Sequence, residues 1–235
     1  MRSVWGRLAR SLIVGMLAWA ALPLWAAHAY GQFGDIKYPA GFAHFGYARP
    51  DAPKGGEIVL VPPTRQSNFD KYNPFTLKGS APPALSSLLF ETLLTSPFDE
   101  PTTAYGLLAR DVQVAADKKS VTFELHPEAR FHNGDPVLAA DVRFSFERLT
   151  SAQAAPQFRT YFSEVRAAVV EGERRIRFDF VRPSSELPLI VGSLPVFSRA
   201  WGLTPSGHKP LDQLVTDIPI GSGPYKIGPV QFGKD

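Results

Sequence analysis

The stretch Val121-Thr-Phe-Glu-Leu-His-Pro-Glu-Ala-Arg-Phe-His-Asn-Gly-Asp-Pro-Val-Leu-Ala-Ala-Asp-Val-Arg-Phe-Ser-Phe146 holds the reading that decides the fold. Val121, Phe123 and Leu125 alternate with Thr122 and Glu124, the period of a half-buried strand. Phe131-His-Asn-Gly-Asp-Pro136 is a tight turn, because Asn-Gly tolerates positive φ and Asp-Pro favours an extended exit. Asp141 to Leu149 then reads as a helix with Val142, Phe144, Phe146 and Leu149 as apolar positions. Working outward, Val165–Val170 and Arg174–Phe180 flank Glu171-Gly-Glu-Arg174, which predicts a β-hairpin with Ile176, Phe178 and Phe180 inward. Ser184 to Leu194 predicts a short apolar helix or turn, and Pro224-Tyr-Lys-Ile227 the start of a strand. Upstream, Glu57-Ile-Val-Leu-Val61 predicts a buried strand stopped by Pro62-Pro63. Leu85, Leu88, Leu89, Phe90, Leu93 and Leu94 recur at helical spacing, so Pro82–Thr95 is expected to be a helix. Helices and hairpins interleave without strict βαβ alternation, which gives an α/β class with a mixed sheet.

The 235 residues carry 25 Lys+Arg against 22 Asp+Glu, no Cys and two Met. The excess charge is local. Arg2, Arg7 and Arg10 precede the apolar run Leu12–Trp25, and Ala27-His28-Ala29 supplies small residues at spacing two. Residues 1–29 therefore read as an export leader, with cleavage expected before Tyr30. Removing it takes three basic residues and no acid, leaving 22 against 22, so a basic-patch model for nucleic-acid binding loses its support. It also takes both Met, and with no Cys the remaining chain offers no sulfur for a disulfide, thiol chemistry or a zinc finger.

Catalytic constellations are weak. Gly228-Pro-Val-Gln-Phe-Gly-Lys234 approaches a phosphate loop, but Asp235 stands where a Mg²⁺-binding hydroxyl is needed. The five His show no H-x₃-H pair, and a loop hydrogen bond is the expected role of His132. No G-x-S-x-G surrounds a serine, and Glu171 and Glu173 flank a hairpin tip where solvated charge is the default. The chain is therefore expected not to be an enzyme and to need no cofactor and no metal. Phe69, Tyr72 and Phe75 sit in a polar loop and either pack on the following helix or line a ligand cleft.

Two segments carry a resemblance. Ala116–Phe146, with its strand, F-H-N-G-x-P turn and D-V-x-F-S helix, resembles the signature of family 5 extracellular solute-binding proteins, the receptors of oligopeptide and nickel ABC importers. Gly221-Ser-Gly-Pro-Tyr225 resembles the element near their first crossing between lobes. Tyr38–Tyr47, Asn73-Pro-Phe75, Tyr105–Ala109 and Glu186–Pro195 are similar to the oligopeptide receptors associated with microcin C uptake. Leu138 departs from the usual Thr and removes an N-cap hydroxyl, and Ser198-Arg-Ala-Trp201 replaces a His-Tyr-Trp-like run.

The resemblance implies a type II periplasmic-binding-protein-like fold of which this chain holds lobe I, lobe II being absent. It divides the chain into the leader (1–29), a first part of lobe I (30–74), an inserted subdomain (75–164) and a continuation ending near the crossover (165–235). It also implies a periplasmic, monomeric receptor that captures oligopeptides or peptide-like compounds and delivers them to an inner-membrane ABC permease, without nucleic acid. In such receptors ligand is held between lobes that close like a hinge. The loop after the 57–61 strand then nominates Thr64, Gln66, Ser67 and Asn68 as ligand contacts, with Tyr161 added after the signature helix. A non-binding remnant of a truncated gene and an exported hydrolase are the other readings.

Overall fold

The computed structural model describes residues 27–53, 55–57, 59 and 69–229. In chain order its elements are β1 (Ala29–Gly31), α1 (Leu85–Leu89), β2 (Leu94–Thr95), β3 (Thr103–Gly106), β4 (Ala109–Val114), β5 (Ser120–Leu125), α2 (Ala139–Leu149), α3 (Pro156–Tyr161), β6 (Val165–Val170), β7 (Arg175–Phe180) and α4 (Leu187–Gly192). A small ribbon, Leu203–Thr204 against Gly207–His208, follows.

The larger sheet runs β4-β5-β7-β6. The expected α/β class holds, but every strand pairing among the described residues is antiparallel rather than mixed in direction. The reason is connectivity: β4–β5 and β6–β7 are both hairpins, and hairpins pair antiparallel strands. At the first turn Lys118 takes the left-handed region at φ 55, closed by the Lys118 amide on the Ala115 carbonyl at 2.8 Å. The inward positions read from the sequence are obeyed: Val121, Phe123 and Leu125 are buried, as are Ile176, Phe178 and Phe180, although Thr122 between them is buried too. The signature turn behaves as its residues require, with Gly134 at φ 89.

Helix α2 lies on this sheet through β6 and β7. Its buried positions, Asp141, Val142, Ser145, Phe146 and Leu149, form one stripe. Leu138 offers no capping oxygen, and the helix compensates with the Leu138 amide donating to Asp141 Oδ2 at 3.0 Å. The other oxygen of Asp141 accepts from Arg199 Nε at 3.0 Å and the Arg199 amide at 3.1 Å. Ser145 Oγ takes the Phe197 amide at 3.0 Å and donates to Asp141 O at 2.8 Å. These bonds tie segment 197–201 to the helix, and Trp201 and Phe197 are buried beside Phe75 and Phe90. Of the loop aromatics, Phe75 is core, Tyr72 packs against it, and Phe69 is exposed.

The smaller sheet runs β1-β3-β2 and joins the larger one through a bridge between Ala27 and Val112. Its Tyr105 is buried under Tyr38, Phe42 and Phe45, with ring centroids 5.2–5.6 Å apart.

Two sequence expectations are corrected, and a third lies mostly outside the described residues. The Pro82–Thr95 helix is a single turn over Leu85–Leu89, and Leu94–Thr95 is a strand. The helix stops at Phe90 because carbonyls that a continuing helix would use are taken: Leu89 O by the Gly223 amide at 2.9 Å and Leu88 O by the Tyr225 amide at 3.1 Å. Pro224–Ile227 forms no strand, because the same bond lays it on the end of α1 instead of beside a partner strand. The 57–61 strand falls mostly outside the described residues; Glu57 and Val59 are described and neither is in a strand, Val59 being exposed. No helix of the described residues is long and apolar enough to cross a membrane.

Candidate functional site

Two places gather polar chemistry. The first is an open cavity of about 460 Å³ between segment 70–79 and the start of α3, lined by Asp70, Lys71, Thr76, Gln153, Arg159 and Asp212 among others. Lys71 is buried, and its ammonium donates to Thr76 O and Lys78 O at 2.6 Å and to Thr76 Oγ1 at 3.2 Å. Burial holds its pKa below the ordinary lysine value, against the opposing charge of Asp70. With its three donors occupied, Lys71 shapes the 76–79 loop, and Lys78 and Arg159 are the other cations that line the cavity among the described residues. Asp70 Oδ1 accepts the Ser80 amide at 2.6 Å and closes the same loop. Asn73 fixes the loop from below: its buried side chain donates to Leu211 O at 2.8 Å and accepts from the Phe75 amide at 2.9 Å.

The second place is the junction where Gly221–Tyr225 meets α1. The His132 amide donates to Gly221 O at 2.8 Å and its Nε2 bonds Gly223 O at 2.9 Å, so Nε2 carries the proton. The expected loop hydrogen bond of His132 is thus present, and its partner is the other motif segment. A Cβ on Gly221 would stand 1.9 Å from Leu89 O, and one on Gly223 2.4 Å from Leu88 O, so only glycine allows this approach. Beside them Glu91 is half-buried. Burial raises its carboxyl pKa, while the Ser222 hydroxyl and the His132 charge pull it back down. The Ser222 hydroxyl and His132 Nδ1 are both buried without a hydrogen-bond partner of good geometry.

Of the five nominated ligand contacts, Thr64, Gln66, Ser67 and Asn68 lie outside the described residues. The cavity begins at Asp70, two positions beyond Asn68. Tyr161 ends α3 with its ring half-exposed and its hydroxyl 3.2 Å from Ser193 Oγ, and it does not line the cavity, although Arg159 of the same helix does. The sequence reading passed over Glu91. The available signal was a lone acid within the apolar run Leu88–Leu94. Among the described residues no group of three His, Asp or Glu side chains is placed to hold a metal.

A lobe built on paired hairpins, with a turn motif clamped to a glycine-rich exit segment, is the architecture of an extracellular solute-binding protein. The chain belongs to that class in a defined way: residues 103–233 match the family described as "Bacterial extracellular solute-binding proteins, family 5 Middle". A relative from Agrobacterium fabrum named "Probable peptide-binding protein YejA" is 40% identical over 206 residues, covering 86% of this chain and 32% of the relative. The structure of NikA from Brucella suis in complex with Fe(III)-EDTA superposes with a TM-score of 0.58 at 20% identity, over 71% of this chain and 32% of that one. A dipeptide-binding protein from Pseudoalteromonas sp. SM9913 in complex with Met-Leu gives 0.54 at 21%, over 70% and 36%. At these identities the structural likeness concerns the fold alone. The chain spans about a third of the length of the curated relatives it matches. The matched relatives described here are binding proteins, not enzymes.

Proposed function

We propose that this chain is the first lobe of a monomeric periplasmic receptor that captures oligopeptides or peptide-like compounds and hands them to an inner-membrane ABC permease. The observation that carries the reading is the 40% identity to a relative named as peptide-binding across 86% of the chain. The N-terminal segment, read from the sequence as residues 1–29, acts as an export leader. Segments 30–74 and 165–235 form the body of the lobe, and 75–164 is inserted between them. Thr64, Gln66, Ser67, Asn68 and Tyr161 contact the ligand, with Arg159 at the cavity as a cation for a peptide carboxylate. A peptide main chain held like an added strand, with watery side-chain pockets, fits such a role and needs no cofactor.

Calorimetry with a mixed tri- to pentapeptide pool tests this on two proteins, the 235-residue chain and a receptor in which a second lobe follows it. Saturable binding is expected of the receptor and only weak binding of the chain alone, because half of the enclosing surface is missing. Asn68→Ala or Tyr161→Ala in the receptor lowers affinity about tenfold, the equivalent of about 1.4 kcal/mol. Tight binding by the chain alone would overturn the division into lobes, and a receptor that takes up no peptide would overturn the function.

A further inference from the structure

The A-x-A pattern at Ala27-His28-Ala29 points to cleavage before Tyr30, yet the structure has those three residues at work in the fold. Ala27 exchanges two backbone hydrogen bonds with Val112, its amide donating to Val112 O at 3.2 Å and its carbonyl accepting the Val112 amide at 2.8 Å. The His28 carbonyl accepts the Gly106 amide at 2.8 Å, and His28 Nε2 bonds the Tyr38 carbonyl at 2.9 Å. Ala29 is 2% exposed, sits opposite Tyr105 in the register of β1 on β3, and packs with Tyr38 and Tyr105 in the aromatic cluster. The strand continues without a break into Tyr30 and Gly31, and the Tyr30 hydroxyl donates to Ser185 O at 2.8 Å.

Cleavage before Tyr30 would remove Ala27, which bridges the small sheet to the large one, and His28, which bonds β3 within the small sheet, leaving the amides of Val112 and Gly106 without their acceptors. With Ala27 in place Val112 is 3% exposed, so the bridge is a buried backbone pair whose loss must be made good by water or rearrangement. Ala29 would go with them, exposing the face of Tyr105 that it covers. A leader, by contrast, is disposable sequence whose removal costs the mature fold nothing. A segment that is both leader and buried strand is a contradiction, and hydrogen bonding decides it in favour of the strand.

We infer that the leader is removed N-terminal to Ala27, so that Ala27-His28-Ala29 stays on the exported protein as the start of β1. This rests on the export reading proposed above. Two upstream bonds are candidates. Ala18-Trp19-Ala20 is a second A-x-A pattern, placed after Leu12–Leu17, whereas a cut before Ala27 has the small Ala26 at −1 but the larger Leu24 at −3. With the second of these, the new α-amino group would be that of Ala27, which keeps a proton to donate to Val112 O.

The test is the intact mass and N-terminal sequence of the protein recovered from the periplasm of a Gram-negative host expressing all 235 residues. A mature chain beginning at Ala27 or upstream of it is expected. A chain beginning at Tyr30 would overturn the inference and leave the export reading standing, whereas a chain found uncleaved and confined to the cytoplasm would overturn both. Ala29→Gln separates the alternatives independently of folding, since processing precedes folding. It replaces the small residue that a cut before Tyr30 requires, but lies beyond a cut at or before Ala27. Normal processing of A29Q at the unchanged bond is expected, and accumulation of its full-length precursor would overturn the assignment.

Discussion

In the four-stranded sheet, Phe178 meets Phe123 of β5 and Phe146 of α2 with ring centroids 6.0 and 5.7 Å apart, while its strand pairs on the other side with β6 through a tight hairpin. At the junction, Gly221 and Gly223 meet Leu88 and Leu89 from more than 130 positions away, through backbone atoms alone. One region is held by side-chain volume and the other by the lack of it. A hairpin core tolerates exchange among apolar residues of similar size, whereas a backbone-on-backbone contact has no side chain that can move aside. The difference teaches where this family member can vary and where it cannot.

The largest expected effect tests the first half of that contrast. Phe178→Ala empties a fully buried position and should cost about 3–5 kcal/mol, read from urea unfolding, while Phe178→Leu recovers much of it. The junction comes next. Gly221→Ala should cost about 1–3 kcal/mol or more, because the new Cβ meets a carbonyl oxygen at 1.9 Å. Gly228→Ala, where nothing lies within 4 Å, should stay within about 0.5 kcal/mol. Equal melting curves for the two alanine variants would show that the junction yields as easily as a hairpin does.

Smaller effects follow. Burial raises the Glu91 pKa above its unfolded value, so the native state favours the protonated form. The contribution of Glu91 to stability is therefore greatest in acid and declines as pH rises from the unfolded pKa through the folded one. Glu91→Gln does not titrate, so it should melt higher than the parent at about pH 7 and converge with it below about pH 4. Solvent screening of this half-buried group keeps the gap below about 1 kcal/mol, or roughly 2–4 °C. A gap that widens in acid would mean that Ser222 and His132 outweigh burial. Least of all, Lys118→Gly relieves a side chain from the left-handed region in the β4–β5 turn and should change stability by less than about 1 kcal/mol, toward a higher melting temperature.

What was legible divides along the same line. Val121–Leu125, the 165–180 hairpin and the Asn133-Gly134 turn were read from residues that are neighbours in sequence, and period-2 alternation or turn chemistry is enough for each. The reading of Pro82–Thr95 failed because Leu85–Leu94 has helical spacing whichever way its later carbonyls are used. Strand Ala109–Val114 was missed because Arg110, Asp111 and Gln113 obscure its alternation, and its place is set by pairing with β5. At the candidate site, His132 was correctly assigned to a loop hydrogen bond, but its partner Gly223 lies 91 positions away.

The sequence by itself determined the 165–180 hairpin, the stripe of α2, the lack of cysteine chemistry and the family, since these rest on local period, composition and motif order. Only the tertiary structure decided that α1 ends at Leu89, that Glu91 is drawn into a half-buried junction with His132 and Ser222, and that Ala27–Gly31 belongs to a sheet. Each of those outcomes depends on which distant amide reaches a given carbonyl first. A backbone hydrogen bond is indifferent to the side chains that flank it, so no residue pattern announces it in advance.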